Sequence, residues 1–249
     1  MKYNNSDIEY LNKYIKEKKL DDSYYNEANK ELTKGRPIQY IIGNVSFYGY
    51  QFMVNENVLI PRFETELLVD KTIHMINKLF KDKNIEIIDL GTGSGCIAIT
   101  LKKELNCHVS ALDISKEALA VASANAALNN VDIKIINAVM STYTDNKYDV
   151  IISNPPYIAY DEEIMDIVKN NEPHTALYAD DNGLYYYDRI IQNIPKITKD
   201  KYLVCFEIGS TQAQSIIDIA NKYLKDVSIT VEKDYSNFDR FIFITNIKE

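Results

Sequence analysis

The chain has 249 residues, 46% of them hydrophobic, and a formal net charge of -8. That length suits one well-packed domain with a small appendage, and the acidic balance argues against a protein that grips many phosphates, which would present a basic face. The opening MKYNNSDIEY lacks an apolar signal core after Lys2, no apolar run approaches a membrane span, and Cys96, Cys107 and Cys205 form no C-x-x-C pair; a cytoplasmic protein with buried, reduced thiols is expected.

Residues 1–34 carry Ile8, Leu11 and Ile15 at helical spacing, then Tyr24, Tyr25, Ala28 and Leu32, which predicts two short helices forming a small N-terminal helical cap. In residues 35–60, Gly35, Pro37, Gly43 and Gly49 punctuate runs rich in Ile, Val, Phe and Tyr, the pattern of a β-hairpin connector. Residues 61–249 are expected to form the main domain. They open with a helix from Glu64 to Phe80, in which Leu68, Thr72, Met75 and Leu79 lie beside Val69, Ile73, Ile76 and Phe80 as one broad apolar face.

Beyond it, strands are predicted at 85–90, 107–112, 132–137, 148–153 and 201–207, alternating with helices at 94–105, 115–129, 183–194 and 211–224. Short Ile/Val-rich strands between helices imply a parallel sheet buried on both faces. VSITVE and RFIFIT are too close in the chain to be anything but antiparallel. The expected architecture is therefore α/β: a doubly wound, mostly parallel seven-stranded sheet ending in an antiparallel hairpin. Tyr185-Tyr186-Tyr187 reads as part of a helix packed on that sheet.

Where the first strand of the wound sheet meets its first helix stands Asp89-Leu90-Gly91-Thr92-Gly93-Ser94-Gly95. Glycines there let backbone N–H groups approach a ligand, and the helix N-terminus favours negative charge. A tight turn without a ligand would look the same. Asp113 follows 22 positions after Gly91 at a strand end, where a carboxylate can accept hydrogen bonds from both ribose hydroxyls or simply cap a turn. Together these features suggest an adenosine-type cofactor. The spacing G-x-G-x-G tilts the choice from NAD towards S-adenosylmethionine, because Cys96 stands where the dinucleotide pattern needs its third glycine.

After the strand YDVIIS comes Asn154-Pro155-Pro156-Tyr157. Each proline forces its predecessor towards extended geometry, so the loop is stiff. The Asn154 side-chain oxygen and the Pro155 carbonyl offer two acceptors for the two hydrogens of a substrate NH₂, and Tyr157 can stack on a flat amide or base. Because an amide nitrogen is a poor nucleophile, such a site works by holding it in line with a methyl donor. A plain Pro-Pro turn with a capping Asn is the alternative.

The series GRPIQYIIG, FYGYQF, VLIPRFETELLV, DLGTGSGCIAI, ALDIS, SNPPYI, EPHTAL, NGLYYYDRII and FEIG resembles the class I methyltransferases of the HemK type, the release factor glutamine N5-methyltransferases. The resemblance implies that Gly91, Thr92, Gly93, Ser94 and Gly95 hold the methionine part of S-adenosyl-L-methionine, which leaves as S-adenosyl-L-homocysteine. It implies that Asp113 holds the ribose, that Asn154 touches cofactor and substrate, and that Pro155, Pro156 and Tyr157 complete a glutamine pocket. Val139 and Met140 fall at the adenine site as apolar contacts, and Ile60-Pro61-Arg62 falls over the active site, with Arg62 a candidate substrate contact. The implied partners are class 1 peptide-chain release factors, methylated on the glutamine of a Gly-Gly-Gln motif. Two departures stand out: Phe63 replaces the usual proline of P-R-P-E-T, and the 34 residues before Gly35 are fewer than the family's multi-helix N-terminal domain.

Three rivals share parts of the pattern. A nucleic-acid methyltransferase acting on the amino group of adenine or guanine uses similar Asn-Pro-Pro-aromatic loops, but the acidic composition and lack of a target-reading domain disfavour direct nucleic-acid binding. A glutamine methyltransferase for a ribosomal protein is a close variant. A scaffold with a degenerate fold is disfavoured by the intact glycines, Asp113 and NPPY. His74, His108 and His174 form no metal pattern, and Glu172 and Glu207 have no single reading from sequence.

Overall fold

The computed structural model describes residues 5–81, 84–105 and 107–248. Residues 1–4 of the expected cap, Lys2 among them, and residues 82, 83, 106 and 249 of the main segment lie outside it. Helices α1 (Asn5–Lys18) and α2 (Asp22–Thr33) occupy the first segment. The Asp21 carboxylate accepts the Tyr24 N–H at 3.0 Å, satisfying a first-turn donor of α2 that would otherwise have no partner. Leu11, Ala28 and Leu32 close a small core of their own with Ile38 and Ile42.

Those last two residues correct one expectation. The stretch 35–60 is not hairpin throughout, because RPIQYIIG folds as helix α3 (Ile38–Ile42). Pro37 at φ -56° suits a helix entry, and Gly43 at φ 75° supplies the left-handed stop. Ile38 and Ile42, four apart, meet the α1–α2 core, while Tyr40 packs with Val54, Val58 and Ile60. Packing on both sides thus overrides the strand preference of an Ile-rich run. The hairpin is confined to β1 (Asn44–Phe47) and β2 (Tyr50–Met53), joined through Tyr48 and Gly49, both at positive φ, the two-residue turn whose twist matches the strands.

The main sheet contains β3 (Glu86–Leu90), β4 (His108–Asp113), β5 (Lys134–Asn137), β6 (Tyr148–Ser153), β7 (Thr198–Glu207), β8 (Ser228–Lys233) and β9 (Asp239–Thr245) in the order β5-β4-β3-β6-β7-β9-β8. The first five strands in that order run parallel, and β9 is antiparallel to both β7 and β8. Neighbouring residues serve opposite faces. Ile87, Val150 and Cys205 pack with α4 (Phe63–Leu79) and α5 (Cys96–Glu104), whereas Ile88, Ile151 and Val204 pack with α9 (Tyr185–Ile197) and α10 (Ala213–Tyr223). Each such side chain, taken from water, stabilises the fold by roughly 1.5–3 kcal/mol, which is why the strands read as unbroken apolar runs.

Helix α6 (Lys116–Leu128) follows β4. Between β6 and α9 lie α7 (Asp166–Asn171), a 3-10 turn at His174–Ala176 and the single turn α8 (Asp180–Gly183), in which Asp181 and Asn182 are left-handed. The sequence analysis had foreseen none of the three. α7 buries no side chain and so leaves no periodic pattern to read. All three cysteines are free and buried.

Parallel register sets the working edge. Leu90 pairs with Leu112, and Ser153 with Phe206, so Asp113, the Gly91–Gly95 loop, Asn154 and Glu207 all emerge at the carboxyl ends of adjacent strands. The order reverses between β3 and β6, and that switch point is where a doubly wound sheet leaves its ligand crevice.

Candidate active site

The glycine loop leaves β3 through Gly91, Gly93 and Gly95, all at positive φ. At Gly91 a side-chain carbon would stand 2.7 Å from the Met140 Cε, and at Gly95 it would meet Ile99 and Ala122 at 3.0 and 3.1 Å. Other residues there would be strained twice, by conformation and by contact.

The loop amides behave differently from the expectation that they reach a ligand. Gly91 and Thr92 donate to the Leu112 carbonyl at 2.8 and 2.9 Å, and Gly95 donates to the Thr92 carbonyl at 2.8 Å. Gly93 donates to Asp113 Oδ2 at 2.9 Å, while Asp113 Oδ1 accepts the Ser115 N–H at 2.9 Å. These donors are spent inside the protein, so the glycines build the bend and Asp113 braces it. Behind the loop, the Thr92 hydroxyl donates to buried Asp89 at 2.6 Å. Burial pushes the Asp89 carboxyl up to about 7, helped by the Asp113 charge and opposed by the Thr92 hydroxyl.

In front of it opens a cleft of about 1040 Å³, large enough for a small-molecule cofactor and mainly apolar with a few convergent polar groups. Gly91, Thr92, Gly93, Ser94 and Asp113 form one wall, Val139 and Met140 another, and Asn154 with Pro156 closes the far end. Gly95 shapes the bend without lining the cleft. Tyr186 lines it too. Of the Tyr185–Tyr187 run only Tyr187 is wholly buried, its hydroxyl donating to the Glu207 carbonyl at 2.7 Å; reading all three as sheet packing missed Tyr186. Cys96 also faces the cleft, where burial pushes its thiol up to about 12 and keeps it protonated.

A second cavity of about 440 Å³ adjoins the first, lined by Arg62, Tyr157, Val168, Leu177 and Glu207 among others. Asn154 lines both cavities, as do Leu59 and Ala176. Pro155 is buried and lines neither. The loop carrying them is fixed at each end. The Ser153 hydroxyl donates to the Leu90 carbonyl at 2.5 Å, and Gln212 donates to the Tyr157 carbonyl at 2.9 Å. A carbon added at Gly183 would fall 2.0 Å from that same Tyr157 oxygen, so the Asn-Gly pair after α7 is a close-approach site that the sequence analysis passed over. Burial raises the Tyr157 hydroxyl well above its ordinary range, with the Glu207 charge adding to it, so Tyr157 presents a neutral ring.

Two glutamates left open by the sequence acquire definite places. Glu172 is buried, accepts the Ile60 N–H at 3.3 Å, and pairs with Arg62 at 2.5 Å. It fastens the 60–62 segment to the chain that continues into Pro173, Thr175 and Ala176 beside the cleft. Tyr40 donates to the Val58 carbonyl at 2.6 Å and tethers the other end of that segment. Glu207 accepts the Thr65 hydroxyl at 2.7 Å, and Thr65 in turn accepts the Asn154 side-chain N–H at 3.2 Å. His174 contacts the Lys169 carbonyl and the edge of Tyr178, a packing role. Among the described residues no cluster of His, Cys, Asp and Glu could hold a metal ion, and no helix is long and apolar enough to cross a membrane.

A family model described as the methyltransferase small domain matches residues 65–183, a span that includes the glycine loop, Asp113 and the NPPY loop. The chain is 42% identical over 230 residues to a release factor glutamine methyltransferase of Bacillus subtilis, covering 89% of this chain and 80% of that protein. Among solved structures, the hMettl16 catalytic domain in complex with the MAT2A 3'UTR hairpin 1 superposes with a TM-score of 0.62 at 19% identity, covering 81% of this chain and 76% of that one. The methyltransferase SMU.776 complexed with SAH gives a TM-score of 0.55 at 14% identity, covering 81% and 55%. At those identities the structural likenesses show a shared class I methyltransferase fold.

Proposed function

Since the chain belongs to the release factor glutamine methyltransferase family, we propose that it methylates the side-chain amide nitrogen of the glutamine in a Gly-Gly-Gln loop of class 1 peptide-chain release factors. The observation that carries this reading is the place of Asn154, in the wall between the large cleft and the smaller cavity.

The large cleft fits S-adenosyl-L-methionine. A methionine segment can lie against Gly91–Ser94, where glycine at 91 leaves the wall beside Met140 free of a side chain, and Gly95 holds the bend behind it. Asp113, at the cleft wall, is the acceptor for the ribose hydroxyls, and Val139 with Met140 offers an apolar surface to adenine. When bound, the cofactor supplies an electrophilic methyl group and leaves as S-adenosyl-L-homocysteine.

The smaller cavity receives the glutamine side chain. Asn154 Nδ2 is engaged by Thr65, which leaves Oδ1 as the acceptor for one substrate N–H; the second acceptor of this reading is the carbonyl of Pro155, which stands behind the lining of both cavities and has to come within reach of the bound amide. Held at two points, the amide nitrogen is oriented towards the neighbouring cleft, so its weak nucleophilicity is offset by placement. The neutral Tyr157 ring covers the flat amide. No base is needed before transfer, because the methylated nitrogen is cationic and loses its proton readily. Pro156 lines the cleft beside Asn154, and Arg62 lines the smaller cavity.

Mass spectrometry of a purified class 1 release factor, after incubation with the protein and S-adenosyl-L-methionine, tests the proposal. The mass of one methyl group gained on the Gly-Gly-Gln glutamine is the expected result. No gain there, together with methyl transfer to tRNA, rRNA, DNA or a ribosomal protein in parallel reactions, would overturn it.

A further inference from the structure

Among the residues that line the smaller cavity, Glu207 is the one buried carboxylate linked by hydrogen bonds to Asn154. It ends β7, is 2% exposed, and accepts the Thr65 hydroxyl at 2.7 Å. A hydroxyl has one proton to give. Since Thr65 gives its proton to Glu207, it can only accept from Asn154, and the end of the amide 3.2 Å away must be Nδ2. Asn154 Oδ1 has no hydrogen-bond partner among the described residues.

We infer that Glu207 is a positioning residue: through the Thr65 hydroxyl, and by its own attraction for the donor end of the Asn154 amide, it fixes that amide with its oxygen free for the substrate. The inference rests on the reading of Asn154 as the substrate acceptor. Without this relay the two ends of the amide are nearly equal in shape, and the reversed amide would offer a donor to a substrate NH₂ that needs an acceptor.

The relay has a polarity that depends on the carboxyl's proton. An ionised Glu207 can only accept. A protonated Glu207 can donate to Thr65, whose hydroxyl is then free to donate towards Asn154 and tolerate the reversed amide. Both states lie within ordinary conditions, because burial raises the Glu207 carboxyl to about 7, with the Thr65 hydroxyl, the Arg240 charge and the Asn154 side-chain amide opposing that rise and Glu64 adding to it. The groups around it are Thr65 and Glu64 on α4, Cys96 on α5, Arg240 on β9, Asn154 and Tyr157 in the loop after β6, and Tyr187 on α9. Burial raises both tyrosine hydroxyls and the Cys96 thiol, and all three stay protonated, so Glu207 is the member of this group that titrates near neutrality.

The test compares Thr65→Val, Thr65→Ser and Glu207→Gln with the wild type in steady-state methylation of a release factor between about pH 6 and 8, with cofactor Kd by calorimetry to confirm an intact cleft. Thr65→Val should lower kcat about tenfold or more, with cofactor Kd within about twofold of wild type. Thr65→Ser should restore kcat. The wild-type kcat should climb with pH through a flank near 7 that is absent in Glu207→Gln. Should Thr65→Val fail to fold, the serine variant and the lost flank still decide the matter. Wild-type kcat in Thr65→Val, or a flank that persists in Glu207→Gln, overturns the positioning role while leaving the function intact. A wild-type protein that leaves the release factor unmethylated overturns the substrate reading and this inference with it.

Discussion

The two cavities that meet at Asn154 are built in opposite ways. Around the cofactor cleft the bracing bonds are short in sequence: Thr92 to Asp89 spans 3 positions, Ser115 to Asp113 spans 2, and Gly93 to Asp113 spans 20. Around the smaller cavity they are long: Asn154 to Thr65 spans 89, Ile60 to Glu172 spans 112, and Thr65 to Glu207 spans 142. The wall of the cleft formed by the glycine loop and Asp113 is thus the property of one strand-loop-helix unit and its neighbour, while Leu59, Thr65, Asn154 and Ala176 bring distant segments to its other side. The smaller cavity exists only once α4, the loop after β6 and the end of β7 have come together. Chemistry common to many methyl transfers can reside in the first, and what distinguishes one acceptor from another has to be assembled by the second.

Mutations on either side should separate accordingly. The largest effect is expected at the shared residue. On the proposed reading, Asn154→Ala removes an acceptor that touches the reacting amide, worth on the order of 3 kcal/mol in the transition state, or a hundredfold or more in turnover. Cofactor affinity should change little, since Val139, Met140, Asp113 and the glycine loop remain. Single-turnover rates at saturating cofactor read the first quantity, calorimetry the second. Near-normal turnover would refute the division at Asn154.

Next comes an effect on stability confined to the second side. Glu207 has a folded-state value near 7 against an ordinary 4.5, so the folded protein holds a proton that the unfolded chain gives up first. Its contribution is fully present below about pH 4.5, falls as pH rises, and is lost above about 7. A rise of that size corresponds to roughly 3 kcal/mol. Glu207→Gln should therefore be more stable than wild type at pH 8, with the difference shrinking towards pH 4.5. Denaturant titrations at several pH values measure it, and a difference independent of pH would show that Glu207 is not held protonated.

On the cofactor side, if Asp113 holds the ribose as proposed, Asp113→Ala loses a charged acceptor worth roughly 1.5–3 kcal/mol and also frees the Gly93 N–H. Cofactor Kd should rise by about tenfold to a hundredfold, with turnover at saturation less affected. An unchanged Kd would place the ribose elsewhere.

The same contrast explains what the sequence disclosed. The alternation of the main sheet's strands with its large flanking helices, the C-terminal antiparallel pair, the DLGTGSG bend and the NPPY loop were all legible, because each is specified within a few residues by periodicity, glycine or proline. Glu207 and Glu172 were not, since a buried carboxylate ending a strand or starting a loop looks alike whether its partner is solvent or a threonine 142 positions away. Helix α3 was misread because Ile38 and Ile42 follow β propensity locally and helical packing globally. The loop amides were misjudged for a related reason: that Leu112 and Asp113 would absorb them depends on the β3–β4 register. Tyr186 and Tyr187 stand next to each other, but only Tyr187 is wholly within the core, while Tyr186 packs against its edge and also lines the cleft, a double role invisible in a triple-tyrosine run.

The smallest effect is expected at Arg62, where two roles compete. Its guanidinium pairs with Glu172, which is 2% exposed, but Arg62 itself is 35% exposed and half in water. Solvent screening keeps such a pair near 1 kcal/mol or less, and the Ile60 N–H still satisfies one oxygen of Glu172 when the arginine is gone. Arg62→Ala should therefore cost little stability. If Arg62 also touches the incoming loop, as its place in the lining of the smaller cavity suggests, KM for the release factor and for a short Gly-Gly-Gln peptide should both rise, by about threefold to fivefold for a contact of this kind. Neither kcat nor cofactor Kd should follow, since the interaction is made equally in the ground and transition states. Arg62→Lys keeps the charge but not the forked geometry, and should recover most of the stability and only part of the KM. Should both variants show wild-type KM alongside a lowered melting temperature, Arg62 is a fastener for the 60–62 segment and makes no contact with substrate.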